Sequence, residues 1–295
     1  MKSDQMSRPL IAVTGKNGQL GYELEQLSAV YKDRFDFLFT GRNDLDIGNA
    51  TSIAAFFQKY QPAYFINCAA YTAVDKAETE QPAAYLVNAE SVGIIAQQCR
   101  IHACTLINIS TDYVFNGNGT EPYRTDSPAD PVNYYGYTKW LGEKLALENN
   151  EHTIILRTSW VYSVHGNNFV KTMLRLMKER PELKVVSDQL GSPTYAADLA
   201  EVILQIITSL EKGNIHYGIY HYSNEGAISW YDFAKAIRDK AGLACKVMPI
   251  PTSAFPTPAK RPAYSVMDKT RLVNDFGITL KTWEKSLELC LAKLS

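Results

Sequence analysis

The chain has 295 residues and a net charge of −1, with 46% hydrophobic and 21% charged residues. This composition is typical of a globular protein and excludes an intrinsically disordered one. The near-zero charge argues against nucleic-acid binding, and no run of about 18 apolar residues predicts a membrane span. Five cysteines without CxxC spacing indicate free thiols and a cytoplasmic protein. Residues 1–9 are polar, which predicts a flexible tail and not a secretion signal.

Short apolar segments alternate with helical patterns through the first half of the chain. The apolar segments span residues 10–14, 35–40, 64–68, 105–110 and 153–157. The intervening helical patterns cover residues 19–30, 51–60, 83–102 and 135–149. Continuous apolar strands that alternate with helices predict an α/β fold, a Rossmann-like doubly wound parallel sheet. Such a sheet binds its ligand at the carboxyl ends of the strands.

The second half is less regular. It combines two short strand patterns with five helical patterns, the helices at residues 168–179, 197–209, 230–241, 268–276 and 282–294. Residues 249–262 hold five prolines, which predicts an ordered loop over a ligand. We therefore expect an NAD(P)-binding Rossmann domain over residues 10–160. Residues 161–295 would form a smaller substrate-binding region, partly interleaved with the first.

A glycine-rich turn follows the first strand. Gly15, Gly18 and Gly21 have GxxGxxG spacing and lead into a helix that begins with Gln19 and Leu20. The first glycine allows a tight turn, the second lets a pyrophosphate approach the backbone, and the third lets the helix lie close to the sheet. The helix N-terminus offers N–H groups to the phosphates. A strand before the glycines and a helix after them predict a dinucleotide site.

The cofactor type depends on the end of the second strand. NAD-binding sites often have an acidic residue there, but this chain has Arg42, which can pair with a 2′-phosphate. The sequence therefore favours NADPH and leaves NADH open. Asp46 and Ile47 are candidates to hold the adenine edge. The small residues and tyrosine after the third strand, against which the cofactor would lie, are Ala69, Ala70 and Tyr71.

Three residues beyond the fourth strand form a candidate catalytic set. Tyr135 and Lys139 are spaced i, i+4, which places them on one face of a helix. A nearby ammonium group lowers the pKa of a phenol, which could donate a proton to a carbonyl oxygen as hydride reaches carbon. Thr111 would add a hydrogen bond to the same oxygen, and Lys139 could also hold the nicotinamide ribose.

Together these motifs resemble the extended short-chain dehydrogenase/reductases, and more closely their branch that reduces dTDP-4-dehydro sugars. The resemblance covers nearly the whole chain after residue 9. The stretches that carry it are GKNGQLGYE (15–23), AAYTAVDKAE (69–78), STDYVF (110–115), NYYGYTKWLGE (133–143), RTSWVY (157–162), GNNFVKTMLRL (166–176), DQLGSPT (188–194) and PTPAKRP (256–262).

The resemblance implies reduction of the C4 ketone of dTDP-4-dehydro-β-L-rhamnose to dTDP-β-L-rhamnose, the last step of dTDP-L-rhamnose biosynthesis. It places the proton donor on Tyr135, with Lys139 and Thr111 as its partners. An indole would cover a sugar face and an arginine would pair with a diphosphate. The family's substrate contacts fall on Val74, Thr111, Asp112, Tyr113, Trp160, Asn168 and Arg261.

The resemblance leaves the metal and the alternatives open. Some family members bind Mg²⁺ through glutamates at a dimer interface. Glu23 falls on one such position, but Asp198 is one residue off register at the other, so we predict no metal and leave a homodimer open. The alternatives are another nucleotide-sugar reductase or epimerase of this fold, a talose-forming relative, and a non-catalytic regulatory subunit. The intact catalytic set favours the enzymes.

Overall fold

The computed structural model describes residues 8–294 of the chain. The strands are β1 (Leu10–Thr14), β2 (Asp36–Thr40), β3 (Tyr64–Asn67), β4 (Thr105–Thr111), β5 (Thr153–Thr158), β6 (Val161–Tyr162), β7 (Glu182–Val186), β8 (Leu190–Gly191), β9 (Thr194–Tyr195), β10 (Gly218–His221), β11 (Ile228–Ser229) and β12 (Lys246–Ile250). The α-helices are α1 (Gln19–Tyr31), α2 (Ala50–Tyr60), α3 (Val74–Ala77), α4 (Gln81–Tyr85), α5 (Ser91–Ile101), α6 (Tyr134–Asn149), α7 (Phe169–Glu179), α8 (Ala196–Glu211), α9 (Trp230–Lys240), α10 (Thr270–Phe276) and α11 (Trp283–Leu294). Within residues 8–294, no helix has the length and apolarity that a bilayer span requires.

A six-stranded parallel sheet forms the centre, in the order β2-β1-β3-β4-β5-β10. The predicted doubly wound α/β sheet is therefore confirmed. From β1 the chain moves outward to β2 and then returns to the other side of β1 as β3. This reversal opens a crevice at the carboxyl ends of β1 and β3, where doubly wound sheets bind ligands.

Helices cover both faces of the sheet, so its four inner strands are almost fully buried, whereas the edge strands β2 and β10 contain half-buried residues. Val13 and Ile107 pack under α1 and α8 on one face, and Phe65 and Leu106 pack under α2 and α5 on the other. Neighbours along a strand point to opposite faces, which is why the inner strands have apolar residues on both. Both α8 and β10 come from the second half of the chain. The domain division after residue 160 stays a prediction.

A second, smaller core lies beside the sheet. It is built from the apolar faces of α7, α9 and α11, with Val170, Phe233 and Leu287 at its centre. The parallel pair β7–β12 closes one side of it. The predicted helices of this half are all present, and the proline-rich segment 249–262 begins in the last two residues of β12 and continues as a loop with one 3-10 turn. Of the predicted tail, residues 1–7 lie outside the described part, and Arg8 pairs with Asp36 at 2.6 Å.

The helix predicted over residues 83–102 is interrupted. Residues Leu86–Glu90 form a π-helical turn between α4 and α5. A Cβ atom on Gly142 of α6 would lie 2.0 Å from the carbonyl oxygen of Asn88, so a glycine is required where α6 crosses this turn. The Asn88 side chain bonds the backbone of Tyr71 in both directions and contacts the Thr138 hydroxyl. The turn thus fixes Tyr71 relative to α6.

A buried ion pair joins α6 to the sheet. Arg157 on β5 donates from Nε and Nη2 to the two carboxylate oxygens of Glu143, at 2.9 and 2.7 Å, and the side chains are 3% and 2% exposed. Ser110 on β4 donates to the same carboxylate. His221 on β10 lies 3.4 Å from Arg157 Nη1. Burial lowers the pKa of His221 to about 3, so its imidazole is neutral.

We expect Arg157→Met to destabilise the protein by about 3–5 kcal/mol, because it leaves the Glu143 carboxylate buried without its partner. Removing both charges in Glu143→Leu/Arg157→Met should cost less than the single substitution. Urea unfolding followed by circular dichroism measures the stability of the double variant and of the two single variants, Glu143→Leu and Arg157→Met. A double variant that is as unstable as the sum of the two single variants would show that the pair is not coupled.

Candidate active site

A cleft of about 1010 Å³ opens at the carboxyl ends of β1, β3 and β4. Its walls contain every predicted cofactor residue, the three predicted catalytic residues and most predicted substrate residues. Two predicted substrate residues, Asn168 and Arg261, are not among its lining residues. Three strand ends therefore bring together motifs that are separated by more than a hundred residues in the sequence.

The glycine turn is shaped by close backbone contacts. Gly15 has φ +74°, and a Cβ atom on it would lie 2.9 Å from the backbone nitrogen of Ala69. A Cβ on Gly21 would lie 2.3 Å from the carbonyl oxygen of Gly15. The third glycine thus allows α1 to pack against the turn itself, which corrects the expectation that it approaches the sheet. A side chain at either position would displace backbone.

The start of α1 suits an anionic group. Gly18 is the N-cap, no side chain caps the helix, and its first turn has no acidic residue. The first helical bond runs from Tyr22 to Gly18, so the N–H groups of Gln19, Leu20 and Gly21 precede the hydrogen-bonded part of the helix. Uncapped N–H groups and the positive end of the helix dipole are what a pyrophosphate requires.

The predicted adenosine residues lie further along the cleft. Arg42 is exposed just beyond β2, and Asp46 accepts a hydrogen bond from Gly48 in a local turn at 3.0 Å. Ile47 is half-buried beside it. On the opposite wall the backbone of Ala69, Ala70 and Tyr71 follows β3.

The predicted catalytic residues meet where β4 ends and α6 begins. Asn133 caps α6 by accepting from the Gly136 N–H at 2.8 Å. A Cβ on Gly136 would lie 2.1 Å from the carbonyl oxygen of Tyr113, so this glycine lets α6 begin directly beside the end of β4. Thr111 and Tyr135 thereby line the same part of the cleft. The sequence signal for this close approach was the glycine inside the tyrosine motif.

Burial determines the protonation of this set. It raises the pKa of Tyr135 to about 12, and the Asp112 carboxylate adds to that rise, whereas the bond from Thr111 opposes it. Lys139 donates to the carbonyl oxygen of Ile109 at 2.6 Å, and burial lowers its pKa to about 8. The expectation of a lowered phenol pKa is therefore wrong: desolvation raises it, and the Lys139 ammonium group is bonded to the Ile109 carbonyl. At neutral pH Tyr135 is protonated, as a proton donor must be.

Three predicted substrate residues surround the phenol. Asp112 is buried, its Oδ2 has no hydrogen-bond partner, and burial raises its pKa to about 6. The ring of Tyr113 meets that of Tyr135 edge-on, with centroids 5.8 Å apart. Val74 begins α3 at the cleft wall. A buried carboxylate oxygen without a partner is suited to accept a hydrogen bond from a ligand hydroxyl.

Two stacked indoles form the far wall. Trp160 has φ +49°, an unusual value for a bulky residue, and its ring stacks on Trp230 with centroids 3.5 Å apart and planes 9° apart. A Cβ on Gly191 would lie 2.6 Å from the Trp160 ring. Both indoles line the cleft. Trp230 was not predicted from the sequence, because nothing in the helical pattern of α9 distinguishes a cleft residue from a core residue.

The remaining predicted residues have other partners. Asn168 caps α7 and donates to Gln19 at 3.0 Å and to the Ser163 carbonyl at 2.7 Å. Its neighbour Asn167 lines the cleft instead. Arg261 forms two bonds to Asp75, at 2.8 and 2.9 Å, which hold the proline-rich loop on α3. The substrate roles of Asn168 and Arg261 stay predictions.

The residues considered for a metal are hydrogen-bonded. Glu23 accepts from Ser163 at 2.6 Å, and Asp198 accepts from Lys281 and Asn224, each at 2.9 Å. In the part of the chain that the structure describes, no three His, Cys, Asp or Glu residues cluster as metal ligands. The absence of a bound magnesium ion and the cytoplasmic location stay predictions, and a homodimer stays open.

Comparison with known proteins identifies the family. The model of the family described as "RmlD substrate binding domain" matches residues 9–295. A dTDP-4-dehydrorhamnose reductase of Aggregatibacter actinomycetemcomitans is 42% identical over 286 residues, which cover 94% of this chain and 97% of the relative. The chain belongs to the RmlD family of dTDP-4-dehydrorhamnose reductases. The resemblance found in the sequence is thereby confirmed, as is the class of enzyme, an NAD(P)H-dependent oxidoreductase.

Solved structures agree with this. The crystal structure of dTDP-4-dehydrorhamnose reductase from Bacillus anthracis, in complex with NADP, superposes with a TM-score of 0.92 and is 39% identical, covering 97% of this chain and 99% of its own. A UDP-glucose 4-epimerase of Thermus thermophilus has a TM-score of 0.79 at 19% identity, covering 97% of this chain and 98% of its own. At that identity it shares the fold alone, so the epimerase alternative gains no support from it.

We expect Gly15→Ala to weaken NADPH binding about tenfold or more, because the added methyl group meets the backbone after β3 and shifts the turn. Fluorescence titration with NADPH measures the dissociation constant. Gly213→Ala is the matched control, since Gly213 also has a positive φ, of +84°, but nothing lies within 4 Å of its Cβ position. Equal affinities in the two variants would contradict a role of the turn in cofactor binding.

Proposed function

We propose that the chain reduces the C4 ketone of dTDP-4-dehydro-β-L-rhamnose to dTDP-β-L-rhamnose with NADPH, the last step of dTDP-L-rhamnose biosynthesis. The observation that carries this is the half-buried, protonated Tyr135 in one cleft with Thr111, Lys139 and the glycine turn. The NADP complex of the Bacillus anthracis relative supports the cofactor. Bound NADPH would supply the hydride.

The chain's own residues would manage the proton. Tyr135 would donate its phenolic proton to the oxygen at C4, and Thr111 would hydrogen-bond that oxygen and so hold it beside the phenol. The phenolate that remains would be stabilised by the Lys139 ammonium group on the same helix face. With a pKa of about 8, Lys139 is mainly charged at pH 7, and it could also bind the nicotinamide ribose.

The residues that would hold the cofactor fall into two groups. The turn at Gly15, with the N–H groups of Gln19 and Leu20, would bind the pyrophosphate. Arg42 would pair with the 2′-phosphate, and Asp46 with Ile47 would hold the adenine edge. The backbone after β3 would line the cofactor's other side, through Ala69, Ala70 and Tyr71.

The substrate would lie between the phenol and the indole wall. Trp160 would cover the sugar face, and Asp112 would accept a hydrogen bond from a sugar hydroxyl. Val74 and Tyr113 would bound the sugar from α3 and the end of β4. For Arg261 to bind the diphosphate, its guanidinium would have to exchange the Asp75 carboxylate for the ligand.

The direct test is an assay with dTDP-4-dehydro-L-rhamnose generated in situ from dTDP-glucose by the upstream enzymes. Oxidation of NADPH and of NADH is followed at 340 nm, and the product is identified by NMR. We expect oxidation and dTDP-L-rhamnose. A talo product would overturn the stereochemical assignment alone. Absence of oxidation in a protein that binds NADPH would overturn the proposed substrate.

We expect Tyr135→Phe to lower turnover by roughly 10²–10⁴-fold, the usual contribution of a general acid, because phenylalanine has no proton to donate. Cofactor affinity should stay near that of the wild type. Steady-state kinetics at 340 nm, with NADPH titration alongside, measure both.

Tyr137→Phe is the matched control, because Tyr137 lies two residues further along α6, is exposed and does not line the cleft. It should keep full turnover. A well-folded Tyr135→Phe variant with near-normal turnover would refute the proton-donor assignment.

Trp230 should position Trp160 against the sugar. Trp230→Ala removes the stacking partner, so we expect KM for the sugar nucleotide to rise about 2- to 10-fold, from the 0.5–1.5 kcal/mol that an aromatic pair contributes. The dissociation constant of NADPH should not change. Trp230→Phe keeps a ring and should restore most of the affinity. If alanine and phenylalanine give the same KM, stacking does not position Trp160.

A further inference from the structure

The loop after β2 brings a carboxylate back to the end of that strand. Asp44 Oδ2 accepts from the backbone N–H of Gly41 at 2.9 Å, and the Asp44 N–H donates to the Gly41 carbonyl at 3.0 Å. Gly41 directly follows β2. The acidic group that the sequence lacks immediately after the strand is therefore supplied by a residue three positions later.

A lysine from the glycine turn meets this carboxylate. Lys16 Nζ lies 2.6 Å from Asp44 Oδ2, and the Lys16 N–H donates to the Thr40 carbonyl at 3.2 Å. The Lys16 Cε atom is 3.3 Å from the position that a Cβ on Gly41 would occupy. The lysine stem thus crosses over Gly41 to reach Asp44. The hydrogen bond from Lys16 holds the pKa of Asp44 below its usual value, so the carboxylate is charged at neutral pH.

The charges at this strand end are unequal. Lys16 and Asp44 neutralise each other, whereas Arg42 is exposed and forms no ion pair with another residue of the described range 8–294. Gly41 and Arg42 both line the cofactor cleft, and Lys16 and Asp44, which contact Gly41, lie just outside that lining. Lys16 thus covers the carboxylate that lies directly at the end of β2, and Asp46 is a second exposed carboxylate four residues after Arg42.

We propose that the Lys16–Asp44 pair sets the preference between NADPH and NADH. This rests on the proposed cofactor site. An acidic residue at the end of the second strand binds a ribose 2′-hydroxyl and repels a 2′-phosphate. Lys16 cancels that repulsion, which lets Arg42 pair with the phosphate, and Asp44 is available to a 2′-hydroxyl.

The pair is suited to exchange partners. Its side chains are 34% and 49% exposed, and exposed ion pairs are only weakly stabilising. The Lys16 ammonium can therefore pass from the carboxylate to a phosphate at little cost. A buried pair, such as Glu143 with Arg157, could not respond to a ligand in this way.

The test is the affinity of the full chain for NADPH and for NADH, measured by fluorescence titration in four proteins: wild type, Lys16→Met, Asp44→Asn and the double variant. We expect Lys16→Met to weaken NADPH about tenfold and to leave NADH within about twofold. Asp44→Asn should weaken NADH and spare NADPH. The double variant should recover NADPH binding relative to Lys16→Met, because the repelling carboxylate is gone.

Two control variants distinguish the role of the Lys16–Asp44 pair from the existence of the proposed cofactor site. Arg42→Ala should weaken NADPH more than NADH, through loss of the phosphate partner. Lys59→Met, on α2 away from the cleft, should change neither affinity. Equal losses of both cofactors in Lys16→Met, or no recovery in the double variant, would overturn the role of the pair. A wild-type protein that binds neither cofactor would overturn the cofactor site as well.

Discussion

The active site depends on how closely α6 can approach the sheet, and the buried Glu143–Arg157 pair fixes that approach. The pair joins the catalytic helix to β5, and Ser110 extends the same network to β4. Its geometry is bidentate, which sets an orientation as well as a distance. Since Glu143 is one helical turn after Lys139, the pair determines the direction in which the ammonium and the phenol project from the helix.

The helices α6 and α1 can lie this close to their neighbours only because glycines stand at the contact points. At Gly136 and Gly142 the backbone of α6 meets carbonyl oxygens of neighbouring segments, and at Gly21 the backbone of α1 meets the glycine turn. In each case a methyl group would overlap a carbonyl oxygen. The two helices can therefore reach contact distance only with glycine at these positions. The side-chain hydrogen bonds of Asn88 fix the π-helical turn beside α6, and that of Asn133 fixes the start of α6.

The sequence predicted the sheet, the family and most of the cleft, because apolar periodicity and motif order are local properties. Contacts between side chains that are far apart in the sequence could not be predicted from it. The sequence did not reveal that Arg261 pairs with Asp75 or that Asn168 caps α7, and the substrate roles predicted for both stay predictions. The pKa of Tyr135 was predicted in the wrong direction, since periodicity reveals a neighbouring lysine but not the loss of water around the phenol.

The contact between Arg261 and Asp75 spans 186 residues of chain. During synthesis the glycine turn, the catalytic helix and five strands of the sheet emerge first, while β10 and the proline-rich loop come from the last third. Contacts of this separation form late and slow the folding of a domain. In the order of synthesis, the residues of the proposed cofactor site therefore precede Arg261, and Asp75 on α3 is without this partner until the proline-rich loop has been made.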